Sequence, residues 1–445
     1  MPEPRIRPDR WLVALALLVA VGYIAGTSLT TGYHGSIIQG DAKAYFSYLP
    51  SLLFDGDILL NNQFQTLEPE GGVPYPYGGS HGRAANPFPI APALLWLPGY
   101  VAGVGVENVL ARLGFAAQSP GYGAAAVWGA AAASILFAGL GAVLTRRLIA
   151  VVIGEHNALS AVLMSWVGTA ALYYTLVTPL YSHAVSWFGV ASMLYTAHLA
   201  VVQPSRLRRW FVAGLFAGYM VAIRLPDASL LVMPLFMFAA AAASMRSNRR
   251  ALTAGVLAWI GGLGLGYLPQ GIASYRLYGR WSPSSPTELG ATFHPGLFFD
   301  ALFSGHYEGW ISWTPIIALG LIGLPLLIAR GGADARRLGY AAMLGVTALY
   351  LTDVLHPYGR AGAAFGARRY VSASPLIAIG LATLINAVAD QPQVRRYLLG
   401  TMWALVAWNV WLLTCYEILV NIHHTYPTLL QTARYAVGLF AISSP

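Results

Sequence analysis

Apolar runs of about twenty residues recur along the whole chain, the first starting at Trp11 and the last ending near Leu419. A run of that length can satisfy its backbone N–H and C=O groups within one helix, which is the condition for lying in a lipid core. The chain is 57% hydrophobic and 10% charged, against about 25% charged for a typical soluble domain. So few charges cannot cover a water-facing surface. The short alternating segments of a β-barrel are absent. The expected fold is an all-α polytopic membrane protein of about eleven transmembrane helices. The runs lie near 11–29, 121–144, 157–177, 181–201, 210–224, 227–245, 251–271, 311–329, 338–352, 371–389 and 398–419. No internal repeat and no soluble domain is visible, so 1–445 reads as one integral-membrane domain.

The breaks between runs differ in charge. Loops at 1–10, 145–156, 203–209, 246–250, 330–337 and 390–397 hold sixteen of the 26 Lys and Arg residues. An excess of basic residues marks the cytoplasmic side. The formal net charge of +9 is thereby explained by loop bias, and nucleic acid is not an expected partner. The first run leads outward and reads as an uncleaved anchor, since no small-residue cleavage site precedes the next loop. Long outer loops are then expected at 30–120, 272–310 and 353–370. The single cysteine, Cys415, excludes an intrachain disulfide. Arg and Ala abundance with one lysine suggests a GC-rich bacterial genome. The expected location is the bacterial plasma (inner) membrane, with the functional face toward the periplasm or exterior.

The first outer loop opens with Gly40-Asp41-Ala42-Lys43-Ala44-Tyr45 and continues to Asp55-Gly56-Asp57. Residues 42–54 read as a short helix with Tyr45, Tyr48 and Leu52 near one face and Asp41 at its N-cap. Residues 86–100, apolar but crowded with proline and aromatics, read as a helix lying in the outer interface rather than a span. Were they a span, Arg146 and Arg147 would fall outside. The other outer loops carry His306 and Glu308, Asp353, Arg360, Arg368 and Arg369. Arg224-Leu225-Pro226-Asp227 falls between two runs.

Ionisable groups at a membrane boundary cost free energy unless they pair or serve a ligand. Asp41 has a catalytic reading, as a general base, and a bland one, as a helix cap. Arg368 and Arg369 suit a phosphate, because the guanidinium fork donates two hydrogen bonds; the bland reading is boundary anchors. Lys43 would bind phosphate or hold Asp41 charged. Arg224 and Asp227 would contact substrate or form a mutual ion pair fixing a turn. His306 and Glu308 would line a donor site. Asp55 and Asp57 are the weak candidates for a divalent metal, against an Asp-Gly turn. No cofactor is expected, and a metal is not favoured, because a phosphate leaves without needing one. Gly261 to Gly266 reads as a helix-packing surface.

With Gly40-Asp41 after the first run, Tyr45 and Tyr48, the long first loop, Gly214 to Gly218 leading to Arg224-Leu225-Pro226-Asp227, and Gly366-Ala367-Arg368-Arg369-Tyr370, the chain resembles the GT-C type integral-membrane glycosyltransferases. Their relatives include protein O-mannosyltransferases and aminoarabinose transferases. The resemblance implies a polyprenyl-phosphate sugar donor, inversion at the anomeric carbon and catalysis on the outer face. It places the family's catalytic Asp at Asp41, with Tyr45 in the substrate-binding set. Many relatives carry two adjacent acids in this loop, whereas Ala42 follows Asp41 here. The partners implied are the lipid-linked donor, membrane lipid, and an acceptor that is a lipid, glycan or protein. The competing class is a multi-span transporter or flippase, which would place charges near the bilayer midplane and show repeated halves. A surface-glycan polymerase or ligase would carry its large loop late in the chain.

Overall fold

The computed structural model describes residues 6–29, 38, 40–67, 84, 86–115, 120–244, 249–281, 295–305, 309–356, 364–423 and 426–438. Among these residues there is no strand. The helices in chain order begin with α1 (Ile6–Leu29), α2 (Asp41–Pro50), α3 (Asn61–Leu67), α4 (Ala91–Arg112), α5 (Ala124–Val152) and α6 (Ala158–Val167). They continue with α7 (Ala171–Leu176), α8 (Ser182–Val202), α9 (Leu207–Ile223), α10 (Val232–Ser244), α11 (Arg249–Tyr278) and α12 (Pro295–Phe303). The remainder are α13 (Trp310–Trp313), α14 (Ile316–Arg330), α15 (Ala333–Val354), α16 (Ser374–Ala387), α17 (Pro392–His423) and α18 (Leu429–Gly438). Among the described residues, eight helical segments are long and apolar enough to cross a membrane. They are Pro8–Thr27, Ala91–Arg112, Ala124–Val152, Ser182–Val202, Leu225–Ala242, Arg250–Tyr278, Arg368–Ala387 and Pro392–Ile422. Ala158–Val167 and Ile316–Arg330 are apolar but shorter.

One end of the bundle gathers the arginine-rich loops. Asp9, near the start of α1, takes Arg146 Nε at 2.6 Å and Arg147 Nε at 2.8 Å. Arg146 is fully buried there and also meets Glu155. Arg395 at the start of α17 donates to Asn157 Oδ1 at 3.2 Å. Arg330 reaches the Ala387 carbonyl at 3.2 Å. These contacts fix the directions of α1 and α5: the first starts where the second ends.

Two features differ from expectation. The 157–177 run is two helices, because Thr169 turns its hydroxyl back to the Ser165 carbonyl and accepts the Ala171 N–H, ending α6 and starting α7. The 86–100 segment is not a short surface helix; it begins a 22-residue helix, α4, that packs on α5. Gly99 and Gly129 bring the two backbones together: a Cβ on either would lie 2.1 Å from the other's carbonyl oxygen. Gly103 meets Ala125 in the same way, so the helices are antiparallel. In this register Ala91 sits opposite the middle of α5, and α4 runs beside the first half of that helix only. Its start is held at the far ends of α9 and α11, by Tyr219 Oη donating to the Ala91 carbonyl at 3.3 Å and Ile90 N–H donating to Gln270 Oε1 at 3.0 Å.

Small residues also close α9 against α11. Cβ atoms on Gly214 and Gly218 would lie 2.0 Å from the Trp259 and Leu263 carbonyl oxygens, and Gly262 and Gly266 approach Phe211 and Leu215 as closely. The glycine-rich run is thus a packing surface, as expected. Further on, α12 and α18 are helices that hydropathy did not single out. The Leu429 N–H at the start of α18 donates to the Gly305 carbonyl at 2.7 Å, tying the C-terminal segment to the end of the bundle away from Asp9.

Candidate active site

At that opposite end, α2 is buried rather than laid on a surface. Tyr45, Phe46, Tyr48 and Leu49 are all nearly inaccessible. Tyr45 packs its ring on Phe88 at 4.9 Å and on Trp96 at 6.1 Å. Asn86 Nδ2 donates to the Ala44 carbonyl at 2.9 Å. The helix ends in a π-helical turn, Ser51–Asp55, closed by Gly56.

Its start differs from expectation. The N-cap is Gly40, with no side-chain cap bond, and Asp41 is the first helical residue. The carboxylate therefore does not cap the helix; it points to Arg368, with Oδ2 at 3.1 Å from Nη1. Gly40 has φ 51°, where only glycine is unstrained, and a Cβ there would lie 2.7 Å from Tyr181 Oη. Tyr45 Oη donates to Ser182 Oγ at 2.8 Å, fastening α2 to the start of α8. Burial raises the Tyr45 and Tyr181 phenols well above their ordinary value, so both are neutral.

Arg368 begins a 3₁₀ turn, Arg368–Ala373, that leads into α16. Gly366, at φ 66°, swings the chain into it. The neighbouring Arg369 goes elsewhere: its Nη1 lies 2.6 Å from Asp353 Oδ1. Arg224 binds Asp227 Oδ1 at 2.7 Å and the Arg369 carbonyl at 3.1 Å, while Ser186 Oγ donates to Asp227 Oδ2. The mutual ion pair expected of Arg224 and Asp227 is present. Tyr370 stacks on Trp310 at 4.3 Å. Half-buried His356 is pushed below its ordinary value by burial and by Arg369.

Three ion pairs thus stand together, and exposure separates them. The Arg224 and Asp227 side chains are 9% and 0% accessible, Arg369 and Asp353 16% and 10%, and Arg368 and Asp41 20% and 27%. The last pair is the most accessible of the three.

The remaining sequence candidates divide. Lys43 is half-buried on α2. Asp57 Oδ1 accepts Ser51 Oγ at 3.0 Å and the Leu59 N–H at 2.9 Å, and Asp55 accepts the Asn62 and Gln63 amides. Both carboxylates are thus engaged in closing the turn after α2. Among the described residues no group of three His, Cys, Asp or Glu side chains stands ready for a metal. His306, Glu308 and Arg360 lie outside the described residues. The sequence reading missed Tyr174, Tyr181, Ser182, His183 and Ser186. A histidine opening an apolar run, just after Pro179, was the available signal, since ionisable groups at such positions are seldom idle.

No family model and no curated protein sequence matches the chain. Among solved structures, it is similar to the oligosaccharyltransferase of Archaeoglobus fulgidus in the apo form, with a TM-score of 0.45 and 12% identity. The alignment covers 96% of this chain and 56% of that one, so the chain spans about half the length of that protein.

Proposed function

We propose that the protein is a membrane glycosyltransferase. It moves a hexosyl or pentosyl group from a polyprenyl-phosphate donor to an acceptor, on the face of the bacterial plasma membrane that bears Asp41. The observation that carries this reading is the Asp41–Arg368 pair, partly open and set at one end of an apolar bundle. A base and a phosphate-binding cation are the two groups such a transfer needs.

The steps balance without another reactant. The donor's tail lies among the helices and its phosphate meets Arg368. An acceptor O–H or N–H attacks the anomeric carbon from the side opposite the phosphate. Its proton passes to the Asp41 carboxylate as the new bond forms. The bond from the anomeric carbon to the phosphate oxygen breaks, and polyprenyl phosphate leaves with the electron pair, stabilised by the guanidinium. The configuration inverts. In the unliganded protein Arg368 holds Asp41; when phosphate takes Arg368, the carboxylate is released to act as base. The acceptor is a lipid, glycan or protein.

The test is transfer from a panel of labelled polyprenyl-phosphate sugars in membranes, wild type beside Asp41→Asn. Asn keeps the size of the side chain and cannot take the proton. The expected loss is about 10²- to 10⁴-fold, the usual worth of a positioned base. Equal transfer by a well-folded Asn variant overturns the assignment of Asp41. Absence of transfer from every donor, with flux of one of them across the membrane, replaces the enzyme by a transporter.

A further inference from the structure

Beside the Asp41–Arg368 pair lie two buried polar groups that the proposed transfer does not use. Tyr174 on α7 is fully buried, and His183 at the start of α8 is 6% accessible. Their rings pack at 4.5 Å. Tyr174 Oη and His183 Nδ1 each lack a hydrogen-bond partner among the described residues. Both residues lie within electrostatic reach of Arg368 and Arg224, and Tyr174 of Asp41 as well. Each buried polar atom without a partner loses its water and gains nothing. Among the eighteen such side-chain atoms of the described residues, these two stand apart by place: both rings meet Tyr181, whose hydroxyl lies against Gly40 next to Asp41. There a ligand would complete the bonding.

Their chemistry narrows the ligand. A phenol hydroxyl donates one hydrogen bond and accepts others. A neutral imidazole donates from one nitrogen and accepts at the other. A sugar hydroxyl also donates and accepts, so it matches both. A phosphate oxygen at neutral pH only accepts and already has Arg368. Tyr181 lines the same corner, its ring 6.0 Å from Tyr174 and 6.3 Å from His183, with its hydroxyl against Gly40.

Resting on the glycosyl-transfer reading, we infer that Tyr174 and His183 bind hydroxyl groups of the donor's sugar and so set which sugar is accepted, while Arg368 holds the phosphate.

The experiment measures equilibrium binding, in detergent, of polyprenyl phosphate with and without a hexosyl or pentosyl group. The variants are Tyr174→Phe, His183→Phe, His183→Asn and Arg368→Gln. Tyr174→Phe and His183→Phe are expected to weaken the glycosylated lipid about five- to tenfold each, the worth of one neutral hydrogen bond, and to leave the sugar-free lipid unchanged. His183→Asn, which keeps a polar atom near the Nδ1 position, restores part of the loss. Arg368→Gln weakens both lipids. Thermal stability of unliganded Tyr174→Phe is not lowered, because the deleted hydroxyl had no partner. If the Tyr174 and His183 variants weaken both lipids equally, or neither, the inference falls and the glycosyl-transfer reading stands. If wild type binds the sugar-free lipid and none of the glycosylated ones, the glycosyl-transfer reading itself falls.

Discussion

Arg368 meets Asp41 across 327 residues of sequence, while Arg369 beside it turns away to Asp353. Both begin the same 3₁₀ turn, where successive side chains leave the axis about 120° apart. Two adjacent arginines are thereby committed to different acids on different elements. One closes the scaffold between α15 and α16, and the other reaches the residue that opens α2.

This division predicts unequal effects of equivalent substitutions. Arg368→Gln is expected to lower transfer by about 10²- to 10³-fold, the usual loss when one donor to developing charge is removed. Arg368→Lys keeps the charge without the planar fork, and an intermediate loss of about tenfold is expected, mainly in donor KM. Arg369→Lys leaves the phosphate site alone and acts on stability instead. Steady-state kinetics and thermal unfolding of the three variants separate the two roles. Loss of transfer by Arg369→Lys equal to that of Arg368→Gln, at unchanged stability, contradicts the division.

Gly40 is the second point at which a small change reaches Asp41. Gly40→Ala faces both a sparsely populated backbone region, about 1–3 kcal/mol, and a Cβ 2.7 Å from Tyr181 Oη. Removing that oxygen leaves Tyr181 Cζ, at 3.8 Å, as the nearest atom. Gly40→Ala is expected to reduce transfer and melting temperature. Adding Tyr181→Phe should recover part of both. A double variant no better than Gly40→Ala shows that backbone strain alone is at work.

Much of this was readable in the sequence, and the gaps have physical causes. Hydropathy marks apolar runs, and loop charge identified the arginine-rich end that Asp9, Arg146 and Arg395 build together. Asp41, Arg224, Asp227, Arg368 and Arg369 could each be picked out because charges are scarce, and the Arg224–Asp227 pair was readable from its spacing. The partner of Asp41 was not, since nothing local distinguishes Arg368 from Arg369. The placing of Asp41 at the N-cap rather than the first helical position is a one-residue matter that Gly40 and Tyr181 decide through space. Tyr174 and His183 were hidden among the many aromatics of an apolar chain. Their significance lies in atoms left without partners, which only packing reveals. The full length of α4 escaped notice because Pro92 and Pro98 suggest interruption, yet one lies in the first turn, where it costs little, and the other is carried within the helix.

The Arg224–Asp227 pair makes a stability prediction of its own. Both groups are nearly inaccessible. Arg224→Met leaves the Asp227 carboxylate buried with Ser186 as its remaining side-chain partner, and a loss of about 3–5 kcal/mol is expected. Asp227→Leu strands the guanidinium similarly, though Arg224 keeps the Arg369 carbonyl. The double variant removes both charges and should be more stable than Arg224→Met alone. Thermal unfolding in detergent checks the order. A double variant whose loss equals the sum of the singles means that the two side chains are not coupled.

The direction of the chain around α4 can be tested with cysteines. Asp9 binds Arg146 and Arg147, so the start of α1 and the end of α5 share one side of the membrane. Two helices that start and end on the same side leave room between them for no further crossing, or for an even number. Among the described residues between α1 and α5, α4 is the one helix long and apolar enough to cross, and one crossing is an odd number. The register with α5 agrees, because Ala91 begins opposite the middle of that helix and not at its arginine-rich end. Helix α4 is therefore expected to enter and leave on the side that bears Asp41. The native Cys415 is buried and gives a quiet background. Phe54 before α4 and Leu113 after it are 47% and 68% accessible, and Ser205 is exposed at the arginine-rich end. Phe54→Cys and Leu113→Cys should react with a membrane-impermeant maleimide from the same side, and Ser205→Cys from the other. If Phe54→Cys and Leu113→Cys label from opposite sides, the chain crosses an odd number of times between them, and the expected return of α4 to the Asp41 side is wrong.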